Sequence, residues 1–593
     1  MMNPIEEVNI SIKPMLEETF YILSKKNTVY RVKLTEKGIT LQKESNGNIK
    51  TETISLNDII GCRCMRSKRR SEQSCACHPS SSRNNDPRVV DENSLDKDES
   101  DISAYLYIYA YVLKNYKVKS GRKRERMTIT LRFRSYDRYE DNMKEAQKWK
   151  SSINHLIKSQ YITNLSPAHA VGSDIVNDNK ILVILNPKSG VGKARDVFQS
   201  KVVPILTEAD VEYDLHVTKH AQDAREQVRI QNIYKYGGGI VVLGGDGILY
   251  EVINGLMERP DWEKALEKMK LGIIPCGSGN GLAKAINFAY NEPHDQNPVL
   301  ISTLNVAKGF STPMDLVRIQ SNSQVVYSFL SVGWGFLSDV DIESERLRAL
   351  GSPRFTLWSM ARLIGLRTYQ GRLSFIRIPE EKEAKAKENN DNVIEKSFRD
   401  SNTTLQHSSS CGDSLDLETD DSESLRRDSF YSITSRKSTY HSTTGSSYQS
   451  LVDDKKPEIK MYGPPSTLPE LSQPVPQTWQ VYQGDFIMVH ASYQSHIAID
   501  CMIAPYSKLA DGIIWLSVIR KGISRTHLLQ YLLSLSSGSH ILVPNTEHIP
   551  VSAFRLEPQC TGSVITVDGE VIEHGPFQAE VMPGLINVMS HSS

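Results

Sequence analysis

The apolar and polar positions of the chain fall into three textures. Up to about residue 160 the apolar positions recur at short, strand-like spacing, in Phe20-Tyr-Ile-Leu23, Val29-Tyr-Arg-Val-Lys-Leu34, Gly38-Ile-Thr-Leu-Gln42 and Thr53-Ile-Ser-Leu56, with turn residues between them. Asp101 to Val118 is rich in Tyr, Val and Ile, and Arg126-Met-Thr-Ile-Thr-Leu-Arg-Phe133 alternates. Met143, Ala146, Trp149, Ile153, Leu156 and Ile157 then form a helical stripe. From Asn179 the texture changes to buried runs that end in glycines and turn into helices. Lys180 to Leu185 leads to Gly190-Val-Gly192, Ile240 to Leu243 leads to Gly244-Gly-Asp-Gly247, and Leu271 to Pro275 leads to Gly277-Ser-Gly279. A strand is also predicted over Val211 to Thr218 and a helix over His220 to Tyr234. Strands alternating with helices predict a parallel sheet covered on both faces, a three-layer α/β unit over 178–310. After Ser311 the alternation fades. Val325 to Val332, Arg372 to Ile378, Gln480 to Val489, Gly512 to Ile519 and Ser563 to Ile572 read as strands, and Ser338 to Gln370 and Ser524 to Leu535 as helices.

Two stretches break these textures. Arg63 to Glu99 is polar and serine-rich and predicts a disordered loop, 63–100, inside the first region 1–165; Glu380 to Gln477 predicts a disordered insert, 380–477, inside the last region 311–593. An insert between two strands costs the fold little, because loop-closure entropy grows slowly with length. The first loop holds Cys62-Arg-Cys64 and Cys75-Ala-Cys77-His78, whose C-x-C spacing differs from the C-x₂-C of zinc sites and reads as free thiols. In the insert, Arg426-Arg-Asp-Ser429 and Ser435-Arg-Lys-Ser438 have the form of basophilic phosphorylation sites, a form that serine-rich segments also produce by chance.

Composition bounds the class. With 593 residues the chain needs two or three cores. Lys+Arg and Asp+Glu are both 70, so net charge is zero and nothing suggests nucleic acid as a partner. Eight cysteines without a disulfide framework, and a start Met1-Met-Asn-Pro-Ile-Glu-Glu that is no signal peptide, predict a reducing, cytoplasmic location. No apolar run approaches a spanning helix, so membrane contact is expected to be peripheral and reversible.

The strand ends carry the chemistry. Glycines there let backbone approach a ligand closely, and the helix N-terminus that follows offers unpaired N–H groups to an anion. Three such ends in succession predict a phosphate cradle on one edge of the sheet. The loop is not a Walker A motif, since Pro187 stands where its first glycine belongs and Lys193 is followed by Ala194. It is not a dinucleotide fingerprint either, since Arg195 replaces the third glycine, and the protein-kinase motifs are missing. Lys193 reads as a surface lysine at a helix start. An acid among phosphates, Asp246, would repel them; it fits a proton acceptor or a metal-positioning group, with helix capping as the plain alternative.

Several motifs together carry a family resemblance. Asn186-Pro-Lys-Ser-Gly-Val-Gly-Lys-Ala194, Gly244-Gly-Asp-Gly247 and Pro275-Cys-Gly-Ser-Gly-Asn280 resemble the diacylglycerol-kinase-type catalytic domain of lipid kinases. Glu251 to Trp262, Trp334 to Glu345, Arg354-Phe-Thr-Leu357 and Phe554-Arg-Leu-Glu-Pro558 are similar to sphingosine kinases, with Ile248 where the wider pattern has threonine. The resemblance implies an ATP-dependent lipid kinase with Mg²⁺ as cofactor, acting on the primary hydroxyl of sphingosine, and a mainly antiparallel β-sandwich lipid-binding domain after the α/β unit. It implies a nucleotide site of Asn186, Pro187, Lys188, the loop Thr218, Lys219, His220, Ala221 and Gln222, then Glu251, Gly277, Ser278 and Gly279, with Arg348, Arg354 and Asp568-Gly569-Glu570. It places the substrate at Gly244, Gly245, Asp246, Gly247 and Asp341, with Asp246 as general base and Asp341 on the substrate amine. Phe336, Leu337 and Phe355, with Val340, Leu528, Leu529, Leu532 and Leu533, are candidates for the tail slot, core being the alternative. Segment 354–369 is basic and amphipathic; it implies a calmodulin-type target or a helix packed on its own domain. The strands of 1–165 closed by one amphipathic helix resemble a pleckstrin-homology-like unit that docks lipid or partner, or only packs. Kinases for ceramide or diacylglycerol, and a lipid-sensing scaffold without activity, are the competing readings.

Overall fold

The computed structural model describes residues 15–22, 28–45, 48–69, 89–92, 94–116, 121–163, 179–190, 192–350, 353–388 and 460–591. Cys75, Cys77, His78, Ser429 and Ser438 lie outside the described residues. The chain divides into two units, Met1–Met314 with Leu585–Ser593, and Asp315–Gly584.

The first unit opens with strands β1 Leu16–Ile22, β2 Thr28–Thr35, β3 Gly38–Ser45, β4 Asn48–Ser55, β5 Ile59–Ser67, β6 Val89–Asp91, β7 Ala104–Tyr116 and β8 Gly121–Phe133. They form one antiparallel sheet in the order β4-β3-β2-β1-β8-β7-β5-β6. Helix α1, Tyr139–Thr163, lays Met143, Ala146, Trp149, Ile153 and Leu156 into its core. Phe20 meets Phe133 and Trp149 edge-on there, at 5.0 and 5.4 Å between ring centres.

Part of the predicted loop 63–100 is ordered. Strand β5 runs on through Ser67, and Met65, Arg66 and Ser67 pair with Asp91, Val90 and Val89. Charged residues hid this strand, but they are satisfied in place: Arg66 lies 3.8 Å over the Tyr139 ring and donates from Nε to Asp98 O at 3.1 Å. Cys62 belongs to the core, its Sγ 3.5 Å from Asn154 Oδ1, and burial pushes its thiol up to about 12.

The same unit continues as the expected α/β layer. Its elements are β9 Ile181–Leu185, α2 Ala194–Val197, α3 Val203–Glu208, β10 Tyr213–Val217, α4 Asp223–Ile230, β11 Gly239–Gly244, α5 Asp246–Met257, α6 Trp262–Lys268, β12 Lys270–Pro275, α7 Gly281–Ala289 and α8 Pro298–Lys308. The strands pair in parallel in the order β10-β9-β11-β12. β9 and β11 are buried at every position, as continuous apolar runs in a covered parallel sheet must be. The helix predicted from His220 begins only at Asp223, because Gln222 adopts φ 66° and Thr218–Gln222 stays a loop.

The antiparallel sheet is fastened to this layer by apolar and charged contacts. Ile60, Tyr109 and Tyr111 pack on Ile205, Leu304 and Ala307. Arg124, almost fully buried, donates from Nε and Nη2 to the two oxygens of Glu292 at 2.6 Å each, and from Nη1 to Asp58 Oδ1 at 2.8 Å.

The second unit is mainly antiparallel. It comprises β13 Ser311–Ser321 (from Asp315), β14 Val325–Ser328, β15 Ser331–Gly335, α9 Phe336–Ser344, α10 Pro353–Ile364, β16 Tyr369–Arg377, α11 Glu380–Glu388, β17 Gln480–Ser492, β18 Ile514–Arg520, α12 Arg525–Ser534, β19 Thr546–Pro558, β20 Ile565–Val567, β21 Glu570–Ile572 and β22 Phe577–Met589 (to Gly584). The long strands change partners along their length. β17 pairs with β16 over Gln480–Phe486 and with β15 and β18 towards Ser492; β19 pairs with β18 first and with β16 and β22 later. Helices α9, α10 and α12 cover one face.

The predicted insert 380–477 is too long at both ends. Glu380–Glu388 is helical, and 460–477 is stitched down by buried side chains. Arg555 donates from Nη2 to the carbonyls of Pro469 and Glu470 at 3.2 and 3.1 Å, and Glu580 accepts from Thr467 N at 3.1 Å. The partners of this polar stretch lie some 80 or more residues further along, so its composition alone could not reveal its order.

Candidate functional site

Three glycine loops meet at the C-terminal ends of β9, β11 and β12. A Cβ at Gly190, which has φ 60°, would lie 2.5 Å from Cys276 O, and one at Gly277 would lie 2.5 Å from Gly245 Cα. Only glycine permits these approaches. Cys276 N donates to Gly244 O at 2.8 Å and Asn186 N to Leu243 O at 3.2 Å, which ties the loops together. Asn186 Oδ1 accepts from Lys188 N at 3.0 Å, bending the chain around Pro187. Asn280, in the left-handed region, accepts from Gly277 N at 2.9 Å and donates to Gly277 O at 2.7 Å. That clamp shapes the Gly277-Ser278-Gly279 turn, and the sequence reading left Asn280 without a role. An asparagine immediately before a helix, after a glycine-rich turn, is the signal that could have identified it.

Asp246 opens α5, immediately after Gly245. Its carboxylate reaches across to α7: Oδ2 accepts from Gly281 N at 2.9 Å and Oδ1 from Leu282 N at 3.3 Å. The capping alternative is thus realised on a neighbouring helix, not on its own. Burial raises the Asp246 pKa, and the N–H groups of Gly281 and Leu282 pull against that rise. Glu251 lies on the same helix, and its charge reaches His220 in the Thr218–Gln222 loop. Within that loop Lys219 N donates to Asp223 Oδ2 at 2.7 Å, and His220 Nδ1 donates to Ala221 O at 2.9 Å. Lys193 is exposed and precedes α2, as expected of a surface lysine.

In the second unit, Asp341 sits on α9 with about a third of its side chain open. Protein around it pushes its carboxyl up to about 7, against the pull of Arg354, whose Nη2 lies 3.7 Å from Oδ1; Glu345 and Glu570 add to the rise. Arg354 also stacks over the Phe355 ring at 4.3 Å. The side chain of Arg348 lies outside the described residues. Asp568 and Gly569 form the β20–β21 turn at φ 51° and 87°. The Asp568 carboxylate is spent inside this unit: it accepts from Ser328 Oγ at 2.6 Å, Phe329 N at 3.0 Å, Leu330 N at 3.0 Å and Ser331 N at 2.9 Å. Through these bonds it holds the 328–331 turn. Gly569 faces Asp341, with a Cβ there 3.7 Å from Oδ2.

Of the tail-slot candidates, Phe336, Val340 and Leu528 are buried in one cluster, with Leu337, Phe355, Leu529 and Leu532 packed against it. Leu533 is not part of it: it is 68% exposed, because it falls on the outer face of α12.

A divalent ion fits this chemistry only as one carried on the nucleotide. Among the described residues no group of three or more His, Cys, Asp or Glu could hold a metal. Mg²⁺ usually binds through phosphates, waters and one or two carboxylates, not an all-protein cage. Asp246 is a carboxylate beside the glycine loops that suits that sharing.

Comparison with known proteins agrees with this geometry. Residues 180–319 match the diacylglycerol kinase catalytic domain, and 477–590 match the YegS C-terminal NAD kinase beta sandwich-like domain. Sphingosine kinase 2 of Homo sapiens is 33% identical over 82% of this chain and 81% of its own length. Sphingosine kinase 1 of Homo sapiens is 33% identical over 69% of this chain and 91% of its own length, and sphingosine kinase 1 of Arabidopsis thaliana is 30% identical over 67% and 69%. A catalytic-domain match over the glycine loops, a sandwich-type match over the strands of the second unit, and relatives aligned along most of both chains lead to one assignment: the chain belongs to the sphingosine kinase family.

Proposed function

We propose that the chain transfers the γ-phosphoryl group of ATP to the primary hydroxyl of sphingosine and related sphingoid bases. The observation that carries this is the placing of Asp246, a half-buried carboxylate held by the first N–H groups of α7 where three glycine loops meet. Phosphoryl transfer to an alcohol needs a cradle for the phosphates, positive charge and an acceptor for the hydroxyl proton. The Gly190, Gly244–Gly245 and Gly277–Gly279 turns supply the cradle, with Asn186, Pro187, Lys188, the Thr218–Gln222 loop and Glu251 around the nucleotide. Mg²⁺ bound to ATP would supply further charge neutralisation. Asp246 takes the proton from the lipid hydroxyl; the two N–H groups on its oxygens favour the ionised form that a base requires. Asp341 pairs the ammonium of the sphingoid base, which ceramide and diacylglycerol lack. Arg348, Arg354 and the Asp568-Gly569-Glu570 segment are the nucleotide contacts that the family pattern assigns, and Phe336, Leu337 and Phe355 line the tail slot.

The test is radiolabel transfer from ATP to sphingosine, ceramide and diacylglycerol by the full chain, alongside Asp246→Asn. Sphingosine should be the preferred acceptor, and Asp246→Asn should lower kcat by about 10²–10⁴. A variant as fast as wild type ends the base assignment, and a preference for ceramide or diacylglycerol ends the substrate assignment.

We read residues 1–165 as a pleckstrin-homology-like unit and 178–310 as a three-layer parallel α/β unit, in a cytoplasmic protein that meets membranes peripherally. Among the described residues no helix is long and apolar enough to cross a membrane. Leu357, Met360 and Ile364 on α10 are exposed, whereas Leu363 of the same helix is buried. The 354–369 segment therefore keeps an apolar face that a membrane surface or calmodulin could take.

A further inference from the structure

A row of polar side chains crosses the floor of the apolar cluster in the second unit. In register across five strands stand Thr566 on β20, Gly333 on β15, His490 on β17, Ser517 on β18 and His548 on β19. Directly paired residues share a face. The neighbouring residues on that face, Met488, Trp515 and Ile519, belong to the cluster with Phe336, Val340, Leu528 and Tyr531. The two ends of the row each carry a hydrogen bond, although His548 Nε2 has no partner among the described residues. Ser517 Oγ and His548 Nδ1 are 3.0 Å apart, and Thr566 Oγ1 shares a 2.9 Å hydrogen bond with Ser338 Oγ of α9.

The middle does not. Both ring nitrogens of buried His490, and the hydroxyl of buried Ser492 beside it, have no hydrogen-bond partner among the described residues. Gly333 lets the polar groups close in on one another at this point. A Cβ there would lie 2.6 Å from Ser338 Oγ and 3.0 Å from both His490 Nδ1 and Thr566 Oγ1. Buried polar groups without partners are expensive, and a leucine at 490 would suit an aliphatic chain better. Burial holds the His490 imidazole neutral, its pKa lowered to about 4, so it offers one donor and one acceptor. That pair complements an uncharged hydroxyl. A metal does not fit, since no group of three or more ligating side chains occurs among the described residues.

The row also has a place along the substrate. Ser338 and Asp341 stand three residues apart on α9, hence on one side and about 5 Å apart. Thr566 lies three residues before Gly569, which faces Asp341. With the amine on Asp341, the row that the Ser338–Thr566 hydrogen bond ties to the same helix is the polar surface next to the head. We propose that His490, with Ser492 and Thr566, forms a hydrogen-bonding seat for an additional hydroxyl on the sphingoid chain next to the amino-alcohol head, so that the enzyme selects 4-hydroxylated sphingoid bases over plain saturated ones. This rests on the sphingoid-kinase reading above.

The test compares kcat/KM for sphinganine and 4-hydroxysphinganine, in the same mixed micelles, using the full chain. Wild type should favour the hydroxylated base by about tenfold or more, because a site built to hydrogen-bond a hydroxyl leaves its polar groups unpaired with the analogue lacking it. His490→Leu should remove that preference by lowering only the hydroxylated base, with sphinganine turnover kept or raised; Ser492→Ala should act in the same direction, less strongly. A wild type that treats both bases alike, or a His490→Leu that changes both equally, overturns the seat and leaves ordered water as the occupant. The wild-type ratio decides even where His490→Leu does not fold. Failure to phosphorylate either base overturns the kinase reading itself, a result distinct from equal use of the two.

Discussion

Two carboxylates carry the proposed chemistry, and their surroundings set them to different tasks. Asp246 accepts two backbone N–H groups and is fixed in place. Asp341 has only one weak cationic neighbour, Arg354, and the protein packed around its carboxyl pushes it up to about 7 against that pull. The sign follows from the direction. The folded chain holds the Asp341 proton more tightly than an unfolded chain, where the group titrates near 3.8, so the free carboxylate costs stability progressively as pH rises from about 4 to about 7. For binding the consequence is opposite, because only the carboxylate pairs an ammonium. KM for sphingosine should therefore fall by about tenfold between pH 6 and pH 8, with kcat following other groups. Asp341→Asn should show a raised and pH-flat KM. A wild-type KM that does not move across this range would remove Asp341 from the amine. Both acids were legible in the sequence from their motifs, but their difference in setting was not. The N–H partners of Asp246 lie 35 and 36 residues away, and Asp341 is tuned by Arg354 across a break in the helices.

At the scale of elements, local pattern was legible wherever an element's own residues decide it. The runs Ile181–Leu185 and Gly239–Gly244 are strands, and Ser524 caps α12, its Oγ accepting from His527 N at 3.0 Å. It failed where a distant side chain decides. Strand β5 looked like the start of a loop until Arg66 found Tyr139 and the carbonyl of Asp98, and 460–477 looked disordered until Arg555 collected its carbonyls. The Asp568-Gly569 turn combines both cases. Its sequence announces a tight hairpin, whereas its buried carboxylate organises a turn some 240 residues earlier, at Ser328 to Ser331. Asp568→Ala strips one hydroxyl and three backbone N–H groups of their acceptor and puts alanine at φ 51°. The expected loss is about 3–5 kcal/mol in a denaturant melt of the full chain. Asp568→Asn tolerates that backbone and keeps one acceptor oxygen, so it should lose less. Equal losses for the two would show that the backbone conformation, not the hydrogen bonds, is what Asp568 supplies.

On the scale of the molecule, the question is whether the N-terminal antiparallel sheet folds as part of the kinase layer or as a passenger on it. The contacts favour the first. Arg124 on β8 binds Asp58 of its own sheet and Glu292 of the α/β layer, and its Nη2 lies 2.9 Å from His591 Nε2, near the end of the chain. The same imidazole nitrogen is 2.9 Å from Nζ of Lys308, whose burial lowers its pKa to about 7. Glu292 is almost wholly buried and its pKa is held down by Arg124, against the opposing effect of burial, so this ion pair is one whose separation leaves a charge stranded. Nothing in the sequence joins positions 58, 124, 292, 308 and 591; each alone reads as a surface charge. Arg124→Met should therefore destabilise the full chain by about 3–5 kcal/mol, because Glu292 loses its cation while its carboxylate stays buried, and half-buried Asp58 loses the same partner. The double variant Arg124→Met with Glu292→Leu should recover part of that loss, since it removes the more deeply buried of the two stranded charges and puts an apolar side chain in its place. Melting of the two parts in one transition in wild type, splitting into two in Arg124→Met, is the expected calorimetric result; two transitions already in wild type, unchanged by the substitution, would make the sheet an independent passenger.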